Sequence, residues 1–294
     1  MQKITRRNFV TAVPSALAAL GVSGLEASTP KKKPSASGPR VGLVTYLLAR
    51  NWDVPTIIAN CTEAKFEAVE LRTTHAHGVE VSLSAAERAE VRKRFEDSPV
   101  RLASLGSAFE YDSPDPQELI KHIEGTKEYA RLAADLGCEG IKVRPNRLHQ
   151  DKGIPREKTI AQIAECLTEV GKAAADLGVE IRVEVHGRDT SRIPVFHAIM
   201  EQCQSPNVYT CWNCNQNDLA DGGLEKNFNL LADSIHFVHM RDLFVEQYPW
   251  RRFLQLLNGI GYEGYCCGEI PPSTDPIRVM KYYRALFLAH QDRL

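Results

Sequence analysis

Ile181-Arg182-Val183-Glu184-Val185 is an apolar run that closes on a carboxylate, and three later runs close in the same way. Val208-Tyr209-Thr210-Cys211-Trp212-Asn213 ends on an amide, Ile235-His236-Phe237-Val238-His239 on an imidazole, and Tyr265-Cys266-Cys267-Gly268-Glu269 on a second carboxylate. The four polar residues stand 29, 26 and 30 positions apart, about one strand–helix unit of a parallel α/β fold. Strands of such units end on a common side, so the four groups converge. Oxygen and nitrogen donors that converge on one point describe a metal site.

Outward from this stretch, eight β-like runs can be marked: Arg40–Tyr46, Ala68–Arg72, Val100–Gly106, Gly140–Arg144, Glu180–His186, Val208–Asn213, Ile235–Arg241 and Gly264–Glu269. Segments with helical period and charged faces lie between them, among them Ser84–Glu96, Pro116–Leu136, Lys158–Leu177 and Leu224–Leu231. Gly137 and Gly178 stand where helix C-caps are expected. Strict alternation of strand and helix predicts a parallel sheet. Eight units over residues 40–294 predict a closed (β/α)8 TIM barrel, because open doubly wound sheets more often have fewer strands.

The chain has 294 residues and a net charge of −1, which argues against the basic footprint of a nucleic-acid binder. A small anionic substrate is still allowed, since a local basic pocket needs only a few residues. At the N-terminus, Thr5-Arg6-Arg7-Asn8-Phe9-Val10 and the moderately apolar run to Val22 have the order of a twin-arginine signal peptide. The expectation is a signal over residues 1–27, a disordered linker over 28–39, and a folded barrel handed to the twin-arginine export machinery for the periplasm or beyond. Pro14 and the shortness of the run disfavour a membrane-spanning helix. Eight cysteines permit disulfides in an exported protein, but most lie in apolar runs, so buried thiols are expected.

Side chains alternate inward and outward along a barrel strand. Placing Glu184 inward groups it with Arg182 and His186, and the same parity groups Tyr209 with Cys211 and Asn213, and Phe237 with His239 and Arg241. Glu70, Arg72, Lys142 and Arg144 extend a polar interior onto earlier strands, where a Glu70–Arg72 ion pair is an equal reading. His75 and His77 are more simply loop histidines than site residues.

The second half resembles the sugar phosphate isomerase/epimerase family of xylose isomerase-like barrels. The resemblance rests on Val183-Glu184-Val185-His186-Gly187, Phe237-Val238-His239-Met240-Arg241-Asp242, and Gly261-Tyr262-Glu263-Gly264 leading into Gly268-Glu269. Tyr129–Cys138 looks like the family's fourth-unit helix and turn. The resemblance implies that Glu184, His239 and Glu269 are metal ligands, with both glutamates placed at the reacting carbons. The chain departs from the family at Asn213, where an aspartate is usual, and at Gln216, where a histidine is common. An asparagine carbonyl still coordinates a hard divalent ion, at the cost of one negative charge.

These residues describe proton transfer beside a polarised carbonyl, with Glu184 and Glu269 as the acid–base pair. His186, Gln216 and Arg241 are the expected substrate contacts, although a salt bridge from Arg241 to Asp242 or Glu269 is nearly as good a reading. Return of the proton to the same carbon is epimerisation, return to the neighbouring carbon is aldose–ketose isomerisation, and loss of a β substituent is elimination. The expected partner is a small sugar, and assembly as a homo-oligomer is left open by the sequence. Mn2+ suits the mixed donors best, with Mg2+ and Zn2+ as alternatives. The rival readings are a metal-dependent lyase, a phosphodiesterase of the endonuclease kind, and a secreted carbohydrate-binding barrel without activity. Gly259–Gly264 matches a dinucleotide fingerprint but opens a strand rather than a helix, so it reads as a turn. Cys211-Trp212-Asn213-Cys214 matches a redox pair, but Cys211 lies inside a predicted strand.

Overall fold

The computed structural model describes residues 38–294. The expected signal segment and residues 28–37 of the expected linker lie outside the described residues. Gly38 and Pro39 are buried, and Arg293 Nη1 donates to the Pro39 carbonyl at 3.3 Å.

Eight strands alternate with eight helices: β1 (Arg40–Val44), α1 (Val54–Ala64), β2 (Ala68–Arg72), α2 (Ala85–Glu96), β3 (Arg101–Glu110), α3 (Pro116–Asp135), β4 (Gly140–Arg144), α4 (Arg156–Ala175), β5 (Glu180–Glu184), α5 (Ile193–Gln202), β6 (Val208–Asn213), α6 (Leu224–Leu231), β7 (Ile235–Met240), α7 (Trp250–Gly259), β8 (Tyr265–Gly268) and α8 (Pro276–His290). The strands pair in parallel in chain order, and β1 closes the ring against β8 with Val41 opposite Cys266. This is the (β/α)8 barrel expected from the alternation.

Local chemistry sets the helix ends. Ser84 and Glu87 form a capping box at the start of α2, while Asp53 and Asp115 cap α1 and α3, each just before a proline in the first turn. Gly137 and Gly178 take the left-handed conformation, with φ of 67° and 68°, and turn the chain back toward β4 and β5.

Two cores result. One fills the space between sheet and helices around Ile57, Leu132, Ile163, Phe196 and Phe253. The other plugs the barrel with Val44, Ala68, Ala103, Cys211, Phe237, Tyr265 and Cys267. All eight cysteines are free and seven are buried, as apolar residues would be. Arg182 is also enclosed: its Nη1 donates to the Ala103 carbonyl at 2.8 Å, its Nη2 meets Glu180 Oε2 at 2.8 Å, and the guanidinium lies over the Phe237 ring.

Strand ends differ from the sequence reading where they meet the loops. β3 runs on to Glu110 through a register shift against β4. β5, β7 and β8 stop early, which leaves His186, Arg241 and Glu269 just beyond the ladder. Glu269 stays in register because its N–H donates to the Met240 carbonyl at 2.8 Å.

The chain after Asn213 is held by one buried carboxylate. Asp218 Oδ2 accepts from Tyr248 Oη at 2.7 Å, Trp212 Nε1 at 3.1 Å and the Asn215 N–H at 3.0 Å. Burial outweighs these donors and pushes the Asp218 pKa up to about 7, from an ordinary 3.8. A carboxyl that holds its proton more tightly when folded stabilises the fold fully below 3.8, and that contribution is lost as the pH rises to about 7. Asp218→Asn keeps the group neutral. Urea denaturation across this window should show wild type losing stability relative to the variant, and parallel profiles would refute the assignment.

Candidate active site

At the open end of the barrel the strand ends surround a cavity of about 500 Å³. Its wall includes Glu70 and Arg72 from β2, Lys142 and Arg144 from β4, Glu184 from β5, Asn213 from β6, His239 from β7, and Glu269 just after β8. The centres of β2 and β4 supply Glu70 and Lys142, and the C-terminal ends of the strands supply the rest, because parallel strands all run toward the same face of the barrel.

Glu184 is the hub. Lys142 Nζ lies 2.9 Å from its Oε2, and Asn213 Nδ2 donates to its Oε1 at 2.9 Å. His239 Nδ1 lies 3.4 Å from the same Oε1 and 3.9 Å from Glu269 Oε1. The opposite ring nitrogen, Nε2, sits 3.2 Å from Glu70 Oε1, whose side chain is fully buried. None of these His239 approaches is aligned as a hydrogen bond, so both ring nitrogens and both Glu70 oxygens are buried without a hydrogen-bond partner.

The carboxyls differ in proton affinity. Burial works to raise Glu184, but Lys142 and then His239 hold it well below the usual carboxylate range. Glu269 goes the other way: burial raises it, with the Glu184 charge adding to that against an opposing pull from His239. Glu70 is pulled down against its burial by His239 and, more weakly, by Lys142 and Ser104. Burial lowers His186 and favours its neutral imidazole.

The donor set fits a divalent cation. One ligand atom each from Glu184, His239 and Glu269 lies within 4.8 Å of the others, and this is the one such group among the described residues. Asn213 Oδ1 is buried and has no hydrogen-bond partner, which leaves a fourth donor free. Two carboxylates, an imidazole and an amide oxygen form a set that Mn2+, Mg2+ or Zn2+ accepts. Buried donors of this kind are costly unless something pairs with them.

Of the residues expected from the sequence, Glu184, Asn213, His186, His239, Arg241 and Glu269 all line the cavity. Gln216 does not. Its side chain is exposed and its Nε2 reaches the Gln247 carbonyl at 3.5 Å. Strand parity does not extend past Asn213, because the chain enters a 3-10 turn that Asn215 and Asp218 cap. Asn215 and Asn217 instead face a cleft beside the cavity.

The Glu70–Arg72 ion pair is also absent. Glu70 turns to His239, while Arg72 Nη1 reaches the carbonyls of Thr73 and Gly106, both at 3.4 Å. Arg241 forms no salt bridge to Asp242 or Glu269; its Nε donates to the Cys214 carbonyl at 3.2 Å. His75 and His77 remain in the loop after β2, bonded to Thr45 Oγ1 and the Arg72 carbonyl. The sequence reading left the roles of Lys142 and Glu70 unassigned. The available signal was a charged residue at the centre of an apolar strand, which demands a partner.

Residues 58–286 match the family described as "Xylose isomerase-like TIM barrel". No curated protein sequence matches the chain significantly. Among solved structures, an L-ribulose 3-epimerase is similar with a TM-score of 0.71 at 16% identity, over 87% of this chain and 96% of that one. The IOLI protein with a binding zinc atom gives 0.70 at 15% identity, over 85% and 99%. The 3-keto-D-glucoside 4-epimerase YcjR from E. coli gives 0.69 at 12% identity, over 85% and 99%. At these identities the structures establish a shared fold, and the match over residues 58–286 establishes the kinship: the chain belongs to the xylose isomerase-like TIM barrel family.

Proposed function

We propose that this protein is an exported, divalent-metal-dependent sugar isomerase or epimerase that moves a proton next to a carbonyl. One observation carries the reading: carboxylates from two separate strand ends, Glu184 and Glu269, line one cavity and approach His239 Nδ1 together, at 3.4 and 3.9 Å. The family membership and the epimerases among similar structures support it. Arg6-Arg7 and the apolar run behind them support export.

Glu184, His239, Glu269 and the Asn213 carbonyl would hold the ion. When bound, it polarises the substrate carbonyl and acidifies the neighbouring C–H. The chain's own groups do the rest. One of the two glutamates takes the proton from carbon and the other returns one. Lys142 steadies the Glu184 charge, and His186 and Arg241 line the space for the sugar's oxygens. Mn2+ is the expected ion for mixed oxygen and nitrogen donors, and the zinc of the IOLI protein makes Zn2+ the competitor.

Protein purified without chelators should carry about one divalent ion and should incorporate solvent deuterium into at least one member of a panel of ketoses and aldoses. Absence of both ion and exchange would sink the enzyme reading. Glu184→Gln and Glu269→Gln should each slow exchange by roughly 100- to 10,000-fold, with circular dichroism unchanged. Exchange retained in both variants would remove the acid–base assignment.

Glu70 generates a separate expectation. Its carboxylate faces Nε2 and so leaves Nδ1 of His239 toward Glu184 and Glu269. Carboxylates behind a metal-binding histidine typically contribute roughly 10- to 100-fold in metal affinity. Calorimetric titration of apo Glu70→Gln with Mn2+ should show a loss in that range, and unchanged affinity would leave Glu70 as a packing residue.

A further inference from the structure

A second, shallower cleft of about 390 Å³ opens beside the barrel cavity. The two are continuous, since His186, Asn213 and Arg241 line both. Their chemistry differs. The main cavity is walled by Glu70, Glu184, Asp242 and Glu269 as well as by cations. The cleft has two arginines, a histidine, a serine and four asparagines, and no carboxylate at all.

Neither cleft arginine has a carboxylate partner. No Asp or Glu oxygen lies within 4.0 Å of the Arg188 or Arg241 guanidinium among the described residues. Both side chains face solvent. Arg241 is anchored through Nε on the Cys214 carbonyl, so its two terminal nitrogens remain available. Arg188 follows Gly187, whose φ is +104° and whose backbone is pressed so closely on Asn146 that a Cβ there would lie 1.6 Å from the Asn146 oxygen. That contact ties the start of the loop to the end of β4. Arg144, by contrast, is already neutralised by Glu110 at 2.5 Å.

The amides around the arginines are also placed. Asn215 Oδ1 accepts from the Asn217 N–H at 2.8 Å, its Nδ2 donates to the Asn213 carbonyl at 2.6 Å, and Asn217 Nδ2 donates to Ser191 Oγ at 2.7 Å. His186 Nδ1 is buried with no partner. Planar guanidiniums match carboxylate and phosphate oxygens, and a concave surface lined by charge of one sign concentrates the opposite charge. Asn213 stands at the junction of cavity and cleft. An aspartate there would set a negative charge against an anion in the cleft, and the amide does not.

We propose that the substrate is an acidic sugar derivative whose anionic group lies in this cleft between Arg188 and Arg241 while its carbonyl end reaches Glu184 and Glu269. The proposal rests on the isomerase/epimerase reading for the carbonyl end; the cleft itself is argued independently of it. A carboxylate and a phosphate share the required chemistry, and the test separates them.

Calorimetry on the full metal-loaded chain with D-gluconate, inorganic phosphate and neutral D-sorbitol addresses the cleft without turnover. Binding of D-gluconate or phosphate at least tenfold tighter than sorbitol is expected. The tighter of the two identifies the anion, and Arg188→Gln should weaken it by roughly ten- to hundredfold. Equal binding of all three, or binding indifferent to Arg188→Gln, overturns the proposal. Deuterium exchange then compares 5-keto-D-gluconate and D-fructose 6-phosphate with D-fructose. A lower KM for one of the anionic sugars, lost preferentially over that for D-fructose in Arg188→Gln, supports the proposal. Exchange of D-fructose with the lowest KM overturns it and leaves the isomerase/epimerase reading standing. Anion binding in the cleft with no exchange of any sugar would instead remove that reading and retain the anion site.

Discussion

The carboxylate of Glu184 is enclosed at the open end of the barrel, and two donors at 2.9 Å, Lys142 Nζ and Asn213 Nδ2, keep it charged. Much of the site depends on this arrangement. An anion in so dry a place is tolerated only with opposite charge and hydrogen bonds around it, and removing one partner of such a pair typically costs about 3–5 kcal/mol. Closure of the sheet supplies the partners. β4 and β6 lie on either side of β5, with Lys142 opposite Arg182 and Cys211 opposite Glu184, so both donors reach the carboxylate from adjacent strands. The apolar plug of Cys211, Phe237 and Cys267 lies within the same barrel, where it limits access of water to these charges.

A second arrangement crosses the barrel. Glu70 on β2 meets His239 on β7, strands that are not neighbours in the sheet. The contact needs space, and Gly106 on β3 provides it: a Cβ there would approach Glu70 Oε1 to 2.6 Å. A glycine inside a strand often marks such a close approach. The imidazole is therefore approached by a carboxylate on each side, and the orientation of its two nitrogens follows from the barrel rather than from the local sequence.

This contrast explains what the sequence could and could not disclose. The eight strands and their order were legible because burial on both faces writes a strand as a short apolar run, and glycines at 137 and 178 punctuate the units. Glu184, Asn213, His239 and Glu269 were legible because polar groups at the ends of such runs stand out. Pairings across the barrel were not, because parity assigns a face and not a partner; Glu70 was thus equally readable as a neighbour of Arg72. The extent of β3 was hidden by Gly106-Ser107-Ala108-Phe109-Glu110, whose small residues give no strand period and whose register shifts against β4. Gln216 stands outside the cavity lining for a related reason: the capped 3-10 turn after Asn213 ends the strand alternation.

Asn213 connects these observations. As an amide it donates to Glu184, which an ionised aspartate cannot do, and it leaves Oδ1 free on the side away from that bond. An aspartate would place a third carboxylate beside Glu184 and Glu269, a crowd that only a strongly bound cation relieves. Substituting the amide removes one negative charge, while the buried Lys142 contributes a positive one. Both features make the site less dependent on an ion for its own stability. The same residue forms part of the wall of a cleft without carboxylates. A single change of carboxylate to amide therefore acts on two surfaces, the inner one that holds Glu184 and the outer one where an anion would otherwise be repelled.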